Sequence, residues 1–176
     1  RAQYNLGLAY RDAEGASKDE QLAATWFRKA AEQGIARAQF NLGVMYRNGQ
    51  GIPKDEQQAV AWFRKAAEQG HSNAQYNLGL MYGRGEGVPK DDQSAYYWWL
   101  LAAAQGHQSA EHNRDIVERD LSHNQRAAAQ VAARNWQPKT AAQSGSVPGG
   151  SSAGADGSNP APSRPAPATA QADGTG

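Results

Sequence analysis

Ala2-Gln3-Tyr4-Asn5-Leu6-Gly7 recurs as Ala38-Gln39-Phe40-Asn41-Leu42-Gly43 and again as Ala74-Gln75-Tyr76-Asn77-Leu78-Gly79. The spacing is 36 residues each time, and a worn copy, Ala110-Glu111-His112-Asn113, begins one period further on. Aligned at that offset, the windows opening at Ala2 and Ala38 agree at 22 of 36 positions, and those opening at Ala38 and Ala74 at 20. Agreement on that scale defines a repeat array, so local structure need be argued for one unit only.

Within a unit the apolar period is helical. Ala38, Leu42, Met45 and Tyr46 fall at i, i+4, i+7 and i+8, one face of a first helix. Gly49-Gln50-Gly51-Ile52-Pro53 ends it, since Gly49 suits a left-handed cap and Pro53 cannot continue a helix. Asp55 is placed to cap a second helix, with Gln58 completing a capping box. On that helix Ala59, Phe63 and Ala66 stack, with Trp62 and Ala67 beside them, until Gly70. Small residues alternating with one large ring let two helices approach closely, so the unit is an antiparallel helix pair. The first unit keeps Gly15 and Asp19 but has Ala13 and Ser17 where the others have glycine and proline, so its loop is expected to be the least rigid. A helix pair cannot bury its apolar face alone, and successive pairs must stack into a solenoid.

Leu42-Gly43-x-x-Tyr46 followed by Ala59-x-x-x-Phe63-x-x-Ala66 resembles the tetratricopeptide signature with a longer loop between its helices. That loop, the 36-residue period and Ala-Ala-Glu-Gln-Gly closing the second helix resemble the Sel-one-like repeat. The resemblance covers residues 1–136, in units 2–37, 38–73 and 74–109 with a degenerate fourth at 110–136. It implies an all-α fold, a right-handed α-solenoid of antiparallel helix pairs. It also implies a non-catalytic scaffold or adaptor that binds a protein or peptide partner on its concave surface. The family, much of it bacterial, serves in signalling complexes, envelope assembly and host contact. The alternative it implies is therefore a structural component of a bacterial envelope or polysaccharide-export assembly. The compartment stays open, with a lean toward the periplasm, envelope or secretion. The chain opens at Arg1, inside the repeated motif, so its first residues carry no information on a leader peptide.

Residues 110–136 read as a terminus. Ala110 to Arg119 keep the first-helix register, with Ile116 and Val117 as apolar contacts. Ser122-His123-Asn124-Gln125 is a second capping box, opening a helix with Ala128, Val131, Ala132 and Trp136. In the third unit Arg64-Lys65 becomes Leu100-Leu101 and Glu68 becomes Ala104. A face polar in the middle unit is thus apolar here. The expectation is that the last helix covers it, the other reading being an exposed docking patch. Residues 137–176 hold six of the eight prolines, seven of the nineteen glycines and no aromatic ring. Such a segment cannot bury enough apolar surface to offset the entropy of ordering it, and a disordered tail is expected.

Composition and motifs exclude more than they indicate. The formal charge is +1, from 18 Lys/Arg and 17 Asp/Glu interspersed, so no basic stripe invites nucleic acid. No cysteine is present, which excludes disulfides, Cys-ligated zinc, iron–sulfur clusters and thiol catalysis. No run approaches 18 apolar residues, so no transmembrane segment is expected. His71 and His107 share one repeat position, just after the glycine closing a second helix, and are read as polar residues favoured at a helix C-terminus. They lack metal-ligand spacing. Gly83-Arg84-Gly85-Glu86-Gly87 has no preceding strand and is read as the inter-helix loop of unit three. Asp55-Glu56 and Asp91-Asp92 sit in first turns, where negative charge is stabilised. Some cysteine-rich members of the resembled family are associated with penicillin binding or β-lactam hydrolysis. This chain has neither their cysteines nor a Ser-x-x-Lys, Ser-Asp-Asn or Lys-Thr-Gly element, so neither catalysis nor a cofactor is expected.

The candidate binding residues form an asparagine ladder. Asn5, Asn41, Asn77 and Asn113 recur on the first helices, which line the concave groove in tetratricopeptide arrays. An amide offers both a donor and an acceptor, matching a peptide bond. Tyr4, Phe40 and Tyr76, then Leu8, Val44 and Leu80, would flank it, while Arg11 and Arg47 add positive charge. The same ladder could instead bond adjacent repeats to one another, and the sequence leaves the two readings open.

Overall fold

In the computed structural model, residues 1–12 and 19–140 are described. The loop at 13–18 and the tail beyond 140 lie outside the described residues, and with them the expectations of a loose first loop and a disordered tail. The described residues form eight helices and no strand. They are α1 (Ala2–Asp12), α2 (Glu20–Glu32), α3 (Ala36–Asn48), α4 (Glu56–Glu68), α5 (Ser72–Arg84), α6 (Asp92–Ala103), α7 (Gln108–Val117) and α8 (His123–Arg134). Helices α1/α2, α3/α4 and α5/α6 pair, and each second helix packs on the first helix of the next unit. The result is the expected stack of helix pairs, an α-solenoid.

Glycine and ring close each pair. Phe27, Phe63 and Trp99 occupy one repeat position and face Gly7, Gly43 and Gly79. A Cβ added at Gly43 would stand 2.7 Å from Phe63 Cδ1, so only glycine lets the helices meet there. Ala38, Leu42, Met45, Ala59, Phe63, Ala66 and Ala67 are all buried, as the apolar period predicts. Gly49 and Gly85 end α3 and α5 in the left-handed region, both at φ 71°. Gly83 and Arg84, read above as loop, are instead the last residues of α5.

Asp19, Asp55 and Asp91 cap α2, α4 and α6 through their carboxylates. The reciprocal half of the box expected at Asp55 is absent, because the Asp55 N–H donates to Tyr46 O at 2.9 Å instead. That bond recurs as Asp91 N–H to Tyr82 O at 3.0 Å and ties each second helix back to its first. The long inter-helix loop has a use of its own. Gly51, at φ 67°, lies so close to the first turn of α2 that an added Cβ would stand 2.7 Å from Gln21 N. Gly87 lies likewise on the first turn of α4. Each loop thus packs on the unit before it.

The fourth unit departs from the pattern. Its α8 packs on α6 rather than pairing with α7. At the repeat positions of Leu78 and Gly79, α7 carries Arg114 and Asp115, so it offers neither an apolar contact nor room for a ring. Five alanines in α8 permit two helical registers, and the one expected from Val131 and Ala132 is not adopted. Ala128, Val131 and Ala132 are exposed, while Ala129 is buried and Ala133 and Trp136 pack on the core that holds Trp98 and Leu101. The expected cover over Leu101 therefore exists, through a different face of the helix. Ser122 and Gln125 form the expected capping box. Val117 is buried as expected but Ile116 is half exposed, because it repeats the outward position of Val44 and Leu80.

Folding continues past the expected boundary at residue 136. The Lys139 N–H donates to Glu68 O at 2.8 Å and Lys139 Nζ pairs with Glu68 Oε2 at 3.1 Å. Trp136 and Pro138 lie against Gly70. Residues 137–140 therefore dock on the end of α4.

Candidate functional site

The first helices stand side by side and present Tyr4, Phe40 and Tyr76, then Leu8, Val44 and Leu80, all half-buried. Phe40 and Tyr76 belong mainly to the packing. Phe40 tilts against Phe63 at 5.8 Å, and His71 and His107 stack on Phe40 and Tyr76 at 4.8 and 4.4 Å.

The asparagines are bonded across the junctions. Arg47 Nη1 donates to Asn77 Oδ1 at 3.1 Å and its Nη2 pairs with Glu86 at 3.2 Å. One unit earlier Arg11 Nη1 reaches Asn41 Oδ1 at a long 3.4 Å, while its other nitrogens pair with Asp12. The Asn77 amide also donates to Asn73 O at 2.8 Å. The four predicted asparagines and two arginines therefore divide. Asn41 and Asn77 are joined to Arg11 and Arg47 and half-buried, whereas Asn5, in the first unit, is exposed. Asn113 has no such rung, because Gly83 stands where Arg11 and Arg47 stand in the earlier units. The reason is Trp99. Its larger ring needs the space over Gly83, where an added Cβ would be 3.3 Å from the indole.

A second polar ladder was not singled out above. Gln39 and Gln75 are buried, and each donates through Nε2 to the end of the preceding second helix, Ala31 O and Ala67 O, at 3.1 Å. Their Oε1 atoms accept from Gln69 and Gln105 at 2.7 Å. Three helices are thus joined by one amide at each of the two junctions where Gln39 and Gln75 stand, which satisfies both of its polar ends where burial would otherwise be costly, and Glu111 takes that position in the fourth unit. The signal was a polar residue recurring inside the motif next to a buried alanine.

The histidines are not C-terminal dipole partners. The turn after each closing glycine is so short that His71 and His107 become the N-caps of α5 and α7, accepting the N–H of Ala74 and Ala110 on Nδ1 at 3.3 Å. Only a neutral imidazole can accept there. Burial, and secondarily the charge of Arg37, hold His71 below its ordinary pKa of 6.5. Among the described residues no group of three His, Asp or Glu side chains could hold a metal ion, and no helix is long and apolar enough to cross a membrane.

Such an array of glycine-and-ring helix pairs, with a loop that reaches the preceding unit, defines an α-solenoid of helix-pair repeats. Sel1 repeats match at residues 1–35, 36–71 and 72–107, and the chain belongs to the Sel1 repeat family, commonly protein-interaction scaffolds. The matched second and third units open at the first residues of α3 and α5. The crystal structure of c5321, described as a protective antigen present in uropathogenic Escherichia coli strains and displaying an SLR fold, is 36% identical with a TM-score of 0.71. That match covers 88% of this chain and 34% of c5321. A Sel1 repeat protein from Oxalobacter formigenes is 41% identical with a TM-score of 0.63, over 65% of this chain and 47% of that one. This chain thus spans less than half the length of either. No curated protein matches it.

Proposed function

We propose that the chain is a non-catalytic scaffold that holds an extended segment of a partner protein along the groove of its first helices. The observation that supports this is the half-exposed strip of Leu8, Val44 and Leu80 running beside the Arg11–Asn41 and Arg47–Asn77 rungs. A strip of that kind offers apolar side chains at a regular spacing together with amides and guanidiniums that suit main-chain carbonyls or a terminal carboxylate. The asparagine carbonyls are already engaged, so Arg47, and the amide nitrogen of Asn41, are the groups left to meet a ligand. Affinity capture with the full chain, run beside Asn41→Ala/Asn77→Ala, tests the reading. A partner held by the parent chain and lost by the variant at unchanged melting temperature supports groove contact. A variant that melts early assigns the ladder to repeat packing and removes it from the binding face.

A further inference from the structure

Among the described residues, the ground that α8 covers on α6 is open on α2. At the 36-residue spacing, Tyr96, Tyr97, Leu100 and Leu101 of α6 correspond to Ala24, Thr25, Arg28 and Lys29 of α2. On α6, Ala129 joins the buried cluster of Tyr96, and Gln130 Nε2 donates to the Tyr96 hydroxyl at 3.1 Å. On α2 the corresponding ground is a groove of about 410 Å³ lined by Gln21, Thr25, Arg28, Lys29 and Glu32, with Gly51 and Ile52 as its other wall. Even that wall corresponds, because His123 and Asn124, which open α8, hold the repeat positions of Gly51 and Ile52. The first unit therefore has a groove where the third carries a helix.

What differs is charge. Leu100 and Leu101 are replaced by Arg28 and Lys29 in unit one and by Arg64 and Lys65 in unit two. Among the described residues none of these four cations pairs with a carboxylate. Arg28 and Arg64 donate to the hydroxyls of Tyr46 and Tyr82, and Lys29 and Lys65 lie over the rings of Trp26 and Trp62 at 4.6 and 4.3 Å. Phenols and indoles position a cation without neutralising it, and a guanidinium or ammonium so held keeps donors to spare. On α4 the far end of the groove is taken by Lys139 on Glu68, which leaves α2 as the open site.

We propose that the outer groove of α2 docks an acidic amphipathic helix of a partner protein. It would lie as α8 lies on α6, with carboxylates over Arg28 and Lys29 where α8 has small alanines over leucines. Laying one apolar helix face into a groove is an established recognition mode, and the charge pair supplies the choice of partner. This surface is separate from the first-helix groove and does not depend on it.

The probe is a labelled peptide of residues 121–136 carrying Arg126→Glu, Ala129→Glu and Ala133→Glu, titrated into the full chain by fluorescence anisotropy. A scrambled peptide of the same composition is the reference. The designed peptide should saturate below about 1 mM, with affinity falling as salt rises, and the scrambled one should bind about tenfold more weakly or worse. Arg28→Glu/Lys29→Glu should cost about tenfold or more at unchanged helical content. Thr25→Trp, which fills the groove without changing its charge, should also abolish binding. Equal binding of the two peptides, no saturation, or affinity that survives both groove variants overturns the proposal.

Discussion

Replacing Gly43 by alanine tests the packing argument with a sign that helix propensity predicts the other way. Glycine inside a helix costs about 1 kcal/mol relative to alanine, so an unhindered Gly43→Ala should stabilise. In this fold the new Cβ would stand 2.7 Å from Phe63 Cδ1 and 2.8 Å from Cε1. Carbon atoms rest at about 3.5–4.0 Å, so ring or helix must retreat by about 1 Å. Phe63 is fully buried, tilted on Phe40, and shares its helix face with the fully buried Ala59 and Ala66, so packing resists its retreat. Overpacking of this kind costs roughly 1–3 kcal/mol, which leaves Gly43→Ala destabilised by roughly 0–2 kcal/mol after the propensity gain. Gly43→Val adds two methyls and loses most of that gain, and should cost about 2–3 kcal/mol. Urea unfolding followed by far-ultraviolet circular dichroism measures both. Phe63→Leu in the Gly43→Ala background should restore part of the loss, with a coupling of about 0.5–3 kcal/mol in the double-mutant cycle. A Gly43→Ala chain more stable than the parent, or a cycle with no coupling, refutes the close approach.

Three further outcomes follow from particular contacts. His71 is held below its ordinary pKa of 6.5, so between the folded and ordinary values the unfolded chain binds the extra proton. Stability should be full above about pH 6.5 and fall as pH drops through that window, and His71→Ile, which copies Ile35 at the same repeat position, should flatten the profile of melting temperature against pH. Removing residues 141–176 should leave the melting temperature where it is, whereas removing 137–176 should lower it by roughly 2–6 °C through loss of the Lys139 contacts; equal midpoints would show that residues 137–140 contribute nothing. Deleting residues 121–140 uncovers Trp98, Leu100 and Leu101 and should make the array self-associate in sedimentation experiments, since an exposed apolar patch seeks cover; a stable monomer would mean that α8 is dispensable as a cap.

The helix pairs and their stacking were legible because each unit repeats one local solution. Glycine opposite a ring, aspartate at an N-cap and glycine at a left-handed turn are all short-range rules, and 36-residue periodicity printed each of them more than once. The closing helix was legible only in kind. In an alanine-rich segment the apolar period does not select a face, and the register was decided by what α6 offered, Tyr96 to Gln130 and Leu101 to Ala133 and Trp136. The role of His71 depended on turn length, since one residue fewer between glycine and helix turns a C-terminal neighbour into an N-cap. Lys139 was hidden for another reason. Composition averages over a whole tail, while docking needed only four residues and a carboxylate at the end of α4.

The asparagine and glutamine ladders show why a repeat motif alone does not separate binding from packing. Both recur through the first three units as amides on first helices, and only the asparagine continues into the fourth, where Glu111 takes the glutamine position. Gln39 and Gln75 are buried with each end of the amide engaged, and any substitution there disturbs three helices. Asn41 and Asn77 are half-buried and tied through one oxygen to an arginine of the preceding unit. At the last junction both rungs are missing, because Gly83 stands in the arginine position beside Trp99 and Glu111 stands in the glutamine position. What separates them is exposure: a ligand can reach a half-buried rung but not a buried one, which is why the groove proposal rests on Arg47 and the amide nitrogen of Asn41 rather than on the glutamines.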